Sequence, residues 1–287
     1  MSDRVPGEFS SYSLAWSEEF NGPAGAPANP RTWRPETGGH GWGNQELQYY
    51  AASTANAALD GAGNLALTVR RPDPRLARLR HDGRQYTSAR LTSKNLMSFR
   101  YGLVQARIKL PRGRGIWPAF WMLGGNIDET GWPQCGEIDV MENFGTSPAT
   151  VHGTAHGPGY SGDSGITASL DARSPLGDDF HLYSVCWEPG RIRWYADQAL
   201  YHTVTQADTQ GNPWVFDHDF YLIINIAVGG HLSVPPDRST TFPQAMLIDY
   251  IRIYSTQDSV TKQHQAECLP GYLSGDQSTF PPERDFT

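Results

Sequence analysis

Val104-Gln-Ala-Arg-Ile-Lys-Leu110 sets Val104, Ala106, Ile108 and Leu110 against Gln105, Arg107 and Lys109 with a period of two. Successive side chains of an extended strand point to opposite faces, so this stretch reads as a half-buried strand with one apolar and one polar face. Working outward, Arg191-Ile-Arg-Trp-Tyr195 and Ile248-Asp-Tyr-Ile-Arg-Ile-Tyr254 read as similar strands. Leu65-Ala-Leu-Thr-Val69 and Phe220-Tyr-Leu-Ile-Ile-Asn-Ile226 are more continuously apolar, as expected of central strands in stacked sheets. Turn formers separate these runs: Asp60-Gly-Ala-Gly-Asn64, Glu188-Pro-Gly190 and Gln210-Gly-Asn-Pro213. Helical periodicity is scarce. Many short strands joined by such turns predict an all-β fold, a sandwich of two antiparallel sheets.

The composition agrees. At 287 residues the chain is long enough for about two domains, but all-β sandwiches run to this length as one. No repeat, low-complexity tract or linker precedes residue 256. One sandwich over 1–256 is therefore expected. A tail over 257–287, with Leu269-Pro-Gly and Phe280-Pro-Pro, is expected to pack on the surface or be partly disordered. With 38% hydrophobic and 11% aromatic residues the chain can bury a core, which excludes a disordered protein. Only 18% charged residues argues against coiled coils. The net charge of −7 offers no basic stripe to nucleic acid or anionic lipid, so a neutral partner suits the chain best. The apolar stretches Ile116–Leu123 and Phe220–Val228 fall short of the roughly 18 residues that cross a membrane. The N-terminal MSDRVPGEFSS lacks the basic start and apolar run of a signal peptide. Cys135, Cys186 and Cys268 are too few for a disulfide framework, leaving one bridge and a thiol, or three thiols.

The chemistry concentrates in Trp132-Pro-Gln-Cys-Gly-Glu-Ile-Asp-Val-Met-Glu-Asn-Phe-Gly145. In a regular strand Glu137 and Asp139 share a face and Glu142 lies on the other. A one-residue bulge at Val140/Met141 would return Glu142 to the same face. Two glutamates leaning together could then reach the ~5–5.5 Å carboxyl separation of a retaining glycosidase, one as nucleophile and the other as general acid/base. Asp139 between them would repel both or share a proton with Glu137. The plainer alternative is a solvated acidic strand edge or a cation-binding acidic run.

Glu137-Ile-Asp-Val-Met-Glu142 resembles the E-x-D-x-x-E signature of glycoside hydrolase family 16, laminarinase-like branch. The resemblance extends, in order, through Trp16–Gly22, Trp42–Tyr50, Gly115–Leu123, Asn225–Gly230 and Ile248–Tyr254, over roughly residues 12–256. It implies a β-jelly-roll with a concave cleft, secretion, and endo-acting hydrolysis of the β-1,3-glucan chains of a neutral polysaccharide by a monomer. It also implies Glu137 as nucleophile, Glu142 as general acid/base and Asp139 as helper, with no catalytic cofactor. Mixed-linkage glucan or agarose cleavage by the same machinery, and a non-catalytic β-glucan-recognition protein, are the competing readings.

Sugar rings present C–H faces edged with hydroxyls, so aromatic platforms and amide or guanidinium donors should line the cleft. Trp117, Trp121 and Trp132 flank the acids in sequence, with Trp121 the first choice of platform, while Trp16, Trp33, Trp187 and Trp194 read as core. By resemblance, Asn44 and Arg90 are hydroxyl donors and His156 faces the cleft. For Arg90, burial against a carboxylate is an equal alternative. His152 and His156 form H-x3-H, but Gly153 and the following Gly-Pro-Gly disfavour the helix that a zinc site needs. Gly162-Asp-Ser-Gly165 looks like a serine-protease nucleophile, yet it lies too close to His156 and reads as a cleft-edge loop. The resemblance also implies a structural Ca2+ held by Glu18, the Gly63 carbonyl and Asp249. Ordinary surface charge is the alternative for both acids.

Overall fold

The computed structural model describes residues 9–256. The expected tail over 257–287, and Cys268 within it, lie outside the described residues. In chain order the strands are β1 (Ser13–Glu18), β2 (Arg34–Pro35), β3 (Gln48–Tyr50), β4 (Ala57–Leu59), β5 (Leu65–Val69), β6 (Tyr86–Ser88), β7 (Arg90–Thr92) and β8 (Gly102–Lys109). They continue as β9 (Ile116–Gly124), β10 (Glu137–Glu142), β11 (Thr150–His156), β12 (Ile166–Asp171), β13 (His181–Glu188), β14 (Arg191–Ala196), β15 (Ala199–Thr205), β16 (Phe220–Val228) and β17 (Gln244–Ser255). Two short helices interrupt them, α1 (Pro74–Arg80) and α2 (Ile127–Thr130).

Two antiparallel sheets hold nearly all the strands. One runs β15-β14-β13-β8-β17-β5-β4 with β1 also paired to β17, and the other runs β12-β11-β10-β9-β16-β7-β2. A separate parallel pair, β3 and β6, ties the chain before the first helix to the chain after it. The expected two-sheet sandwich is therefore the observed fold.

The alternation that predicts β8 holds on its apolar side, where Val104, Ala106 and Ile108 are fully buried between the sheets. The opposite side departs from expectation: Gln105 and Leu103 are buried as well. Phe9 and Tyr12 lie over this outer face, with Phe9 edge-on to Tyr195 at 5.5 Å and packed with Leu103, Cys186 and Tyr254. Leu65–Val69 also departs. Its residues alternate between buried and half-buried, so β5 covers one face only. By contrast all nine residues of β16 are buried. Phe220, Leu222, Ile224, Ile226 and Val228 enter the inter-sheet core, while Tyr221 and Ile223 pack on the other face with Leu123 and Cys135. Each fully buried Leu or Ile contributes roughly 2 kcal/mol. Trp33, Trp187 and Trp194 are core residues as expected, whereas Trp16 is only partly buried against the core. Cys135 and Cys186 are buried free thiols.

Candidate active site

The acids sit on β10 because of a bulge. Asp139 faces Trp121 and Met141 faces Phe120, so Val140 is the extra residue against β9. On the other side Asp139 pairs with Thr154 and Glu142 with His152, with the register broken between them. Ile138, Val140 and Met141 all enter the core. Glu137, Asp139 and Glu142 turn together into a cleft of about 400 Å3 on the outer face of the second sheet. The bulge lies at Val140/Met141, the position that returns Glu142 to the face of Glu137 and Asp139.

Three tryptophan N–H groups fix this strand. Trp132 Nε1 donates to Glu137 Oε2 at 2.9 Å, and Trp117 Nε1 donates to Glu142 Oε1 at 3.0 Å. Trp194, from the opposite sheet, donates to the Asp139 carbonyl at 2.7 Å. His156, opposite Glu137 on β11, places Nε2 at 3.2 Å from Asp139 Oδ2 and 3.8 Å from Glu137 Oε1. The side chains of Glu137 and Asp139 are 17% and 5% exposed, so water screens their charges little.

All three carboxyls are held above the ordinary carboxylate range. For Glu137 burial is the main cause and the charge on Asp139 the next, raising it to about 8, while His156, if charged, and the Trp132 N–H oppose the rise. Asp139 is driven up by burial and by Glu142, against a hydrogen bond with Glu137. Burial also raises Glu142, against its bond from Trp117. Acids this close lose protons as a set, so the upper value belongs to the cluster rather than to one carboxyl. The physical consequence is that the site retains protons at neutral pH. Ligand atoms of Glu137, Asp139 and His156 converge within 4.8 Å of one another.

Every residue read as sugar-binding lines this same cleft: Asn44, Arg90, Trp117, Trp121, Trp132 and His156. The details shift the emphasis among them. Arg90 Nε meets Glu36 Oε2 at 2.5 Å with its side chain only 13% exposed, which is the buried-pair alternative. Its guanidinium lies between two rings, 4.7 Å from the centroid of Trp42 and 4.8 Å from that of Trp121. Trp121 is further fixed by its N–H to Asn225 Oδ1 at 2.7 Å. With Arg90 against that ring, Trp132, 46% exposed, offers the more open platform. Trp42, Glu46, Asn225 and Leu232 also line the cleft and were not singled out from sequence. Glu46 is buried, accepting from Gln48 Nε2 at 2.5 Å and Tyr50 Oη at 3.1 Å. A glutamate two residues from Gln48 and four from Tyr50 was the available signal.

His152 and His156 lie on strand β11, not a helix, and His152 Nδ1 is engaged with Ser169 Oγ at 2.7 Å. Gly162–Ser164 forms a single helical turn at the cleft edge, as the loop reading expects. The residues read as calcium ligands do not form part of the cleft lining. Asp249 Oδ2 is held by Arg107 Nη1 at 2.5 Å, an ion pair that a cation would have to displace or share. Glu18 accepts from the Phe20 backbone and the Asn29 side chain, and burial raises its pKa. Gly63, with φ +90°, sits in a turn closed by Asp60 Oδ1, which accepts from the Ala62 and Asn64 backbones. Among the described residues, the acids and histidine whose ligand atoms converge are Glu137, Asp139 and His156, not this set.

The sequence profile described as Glycosyl hydrolases family 16 matches residues 45–252, most of the chain, and the chain belongs to that family. It is 40% identical over 265 residues to the Beta-glucanase of Rhodothermus marinus, covering 88% of this chain and 87% of that protein. It is 35% identical over 263 residues to the Glucan endo-1,3-beta-glucosidase A1 of Niallia circulans, covering 85% of this chain but 38% of that longer protein. Among solved structures, the laminarinase catalytic domain from Thermotoga maritima MSB8 is similar with a TM-score of 0.78 at 44% identity, covering 85% of this chain and 98% of that one. The fold is accordingly the jelly-roll of this family, and the chain is a glycoside hydrolase. Among the described residues no helix is long and apolar enough to cross a membrane.

Proposed function

We propose that the chain cleaves internal β-1,3-glucosidic bonds of a neutral β-glucan such as laminarin, with retention of configuration, acting as a monomer over residues 1–256. The observation that carries this reading is the bulge on β10, which turns Glu137, Asp139 and Glu142 into one cleft with an indole donor on each glutamate. Glu137 attacks the anomeric carbon as the glycosidic oxygen leaves with the proton of Glu142. Water then attacks the glycosyl–Glu137 ester, giving its proton back to Glu142 and releasing Glu137 as carboxylate. The first step needs Glu142 protonated and Glu137 ionised. Burial supports the former. The Trp132 N–H and His156 favour the latter, against burial and the charge of Asp139, which hold Glu137 up. Trp132 supplies a stacking face and Asn44 a hydroxyl donor. No step uses a metal, and the calcium expected at Glu18, Gly63 and Asp249 is not proposed further. A polysaccharide substrate too large to cross a membrane supports secretion of the enzyme.

Product analysis on laminarin, lichenan and agarose in parallel tests the substrate. Early mixed short β-1,3-oligomers from laminarin support the reading, and a preference for lichenan or agarose moves the substrate. Azide tests the roles. With an activated β-glucoside, Glu137→Ala should give the α-glycosyl azide, and Glu142→Ala the β-azide. The reverse pattern overturns the assignment.

A further inference from the structure

The whole-chain charge of −7 conceals a strongly basic segment. Between residues 70 and 84 stand Arg70, Arg71, Arg75, Arg78, Arg80 and Arg84 against only Asp73 and Asp82. The segment is +4, so the remainder of the chain is −11. The expectation that no basic stripe exists therefore fails locally.

This segment is α1 and its flanks. Pro74 opens the helix, and Asp73 caps it by accepting from the Arg75 N–H at 2.8 Å. Only Ala77 of the helix is buried. Arg75, Arg78 and Arg80 are all exposed, and Leu79 is 80% exposed. Among the described residues the six arginines enter no ion pair, whereas Arg90, Arg107, Arg112 and Arg252 each do. Next to the helix, Arg70 and Arg71 line a pocket of about 300 Å3 with Thr240, Phe242 and Pro243. Arg71 is steadied there against the Phe242 ring, 5.0 Å from its centroid.

The position matters as much as the charge. Arg84 Nη1 donates to the Glu46 carbonyl at 3.3 Å, and His81 packs on Tyr49 at 5.3 Å between ring centroids. Asn44 and Glu46 line the cleft. The arginine segment thus continues from the Asn44 end of the cleft onto the open surface.

We infer that this segment is an auxiliary binding surface for an anionic polysaccharide, one bearing carboxylates or sulfate esters. Arginine forks match both groups in a bidentate manner. The net negative charge of the rest of the sequence disfavours a polyanion elsewhere. Such a site holds the enzyme on an acidic matrix that contains its neutral substrate. An anionic bilayer would also attract the arginines, but a seven-residue helix exposing Leu76 and Leu79 offers too little apolar area to anchor in one.

The test is affinity electrophoresis of the full chain through gels containing polygalacturonate, dextran sulfate or neutral dextran, at low salt and at 0.5 M NaCl. Retardation by at least one polyanion, absent with dextran and abolished by salt, is expected; which polyanion retards tells carboxylate from sulfate ester. The triple variant Arg75→Gln, Arg78→Gln, Arg80→Gln should bind about tenfold more weakly, since exposed pairs contribute modestly but act together here. Its melting temperature and laminarin turnover should stay within error and within twofold of the parent. Turnover is read separately, so failure of the glucanase reading leaves the binding result standing. Equal retardation of variant and parent, or equal retardation by neutral dextran, overturns the inference. So does binding to phosphatidylglycerol vesicles that Leu76→Ser with Leu79→Ser removes, if neither polyanion retards the parent.

Discussion

Replacing Glu137 with glutamine should make the protein more stable, and only above acidic pH. Glutamine keeps the shape of the side chain and an oxygen to accept the Trp132 N–H. What it removes is one of three acids that burial and mutual repulsion hold above their ordinary range. A carboxyl raised from 4.5 to about 8 keeps its proton in the folded state where the unfolded chain has already released it. The folded state then binds more protons, so stability falls as pH rises through that window, and the penalty is absent below it. The full span corresponds to about 5 kcal/mol above pH 8. Protons redistribute onto Asp139 and Glu142, so a measured gain of about 2–5 kcal/mol is expected, or roughly 5–15 °C in melting temperature for a domain of this size. Differential scanning calorimetry of parent and variant from pH 4 to 9 reads it directly. The two melting temperatures should converge near pH 4 and separate steadily toward pH 8.5. A difference that does not change with pH, or a variant less stable throughout, would refute the electrostatic account of the cluster.

Other consequences are as specific. Trp132→Phe keeps an aromatic face but removes the donor that favours ionised Glu137, so the acid limb of the kcat/KM profile should move up by about one pH unit or less. Glu142→Gln should lower glucan hydrolysis by about 10²–10⁴-fold while sparing the first step on an aryl glycoside, whose leaving group needs no proton; burst kinetics distinguish the two. A Cβ on Gly165 would stand 2.4 Å from His156 Cε1, so Gly165→Ala must displace that ring from the acids. A loss of ~10- to 100-fold in kcat/KM with little change in melting temperature is expected.

Local patterns in the sequence were legible because they depend on neighbours in the chain. Period-two alternation placed β8, β14 and β17, and the parity of Glu142 marked where a bulge would bring the three acids together. What stayed hidden depends on distant partners. Arg90 and Glu36 are 54 residues apart, and nothing in either segment announces that the guanidinium lies between Trp42 and Trp121. Likewise Gln105 looks solvent-facing, yet it lies between β13 and β17, opposite Ser184 and Arg252, and is buried. The arginine segment stayed hidden for another reason: a net charge averages over the chain, and the acids elsewhere in the sequence outweigh it.

The extra residue in β10 also links parts of the molecule that share no contact with substrate. Val140 and Met141 are both anchored in the core, and the acids ride on the backbone between and beside them. The hydrocarbon interior thereby acts as a jig for the reaction, its packing setting the gap across which bond-making and bond-breaking groups must meet. Trimming Met141 from within would alter turnover without touching a single polar atom of the cleft, so screens that vary only cleft-lining positions would overlook a main dial on catalysis.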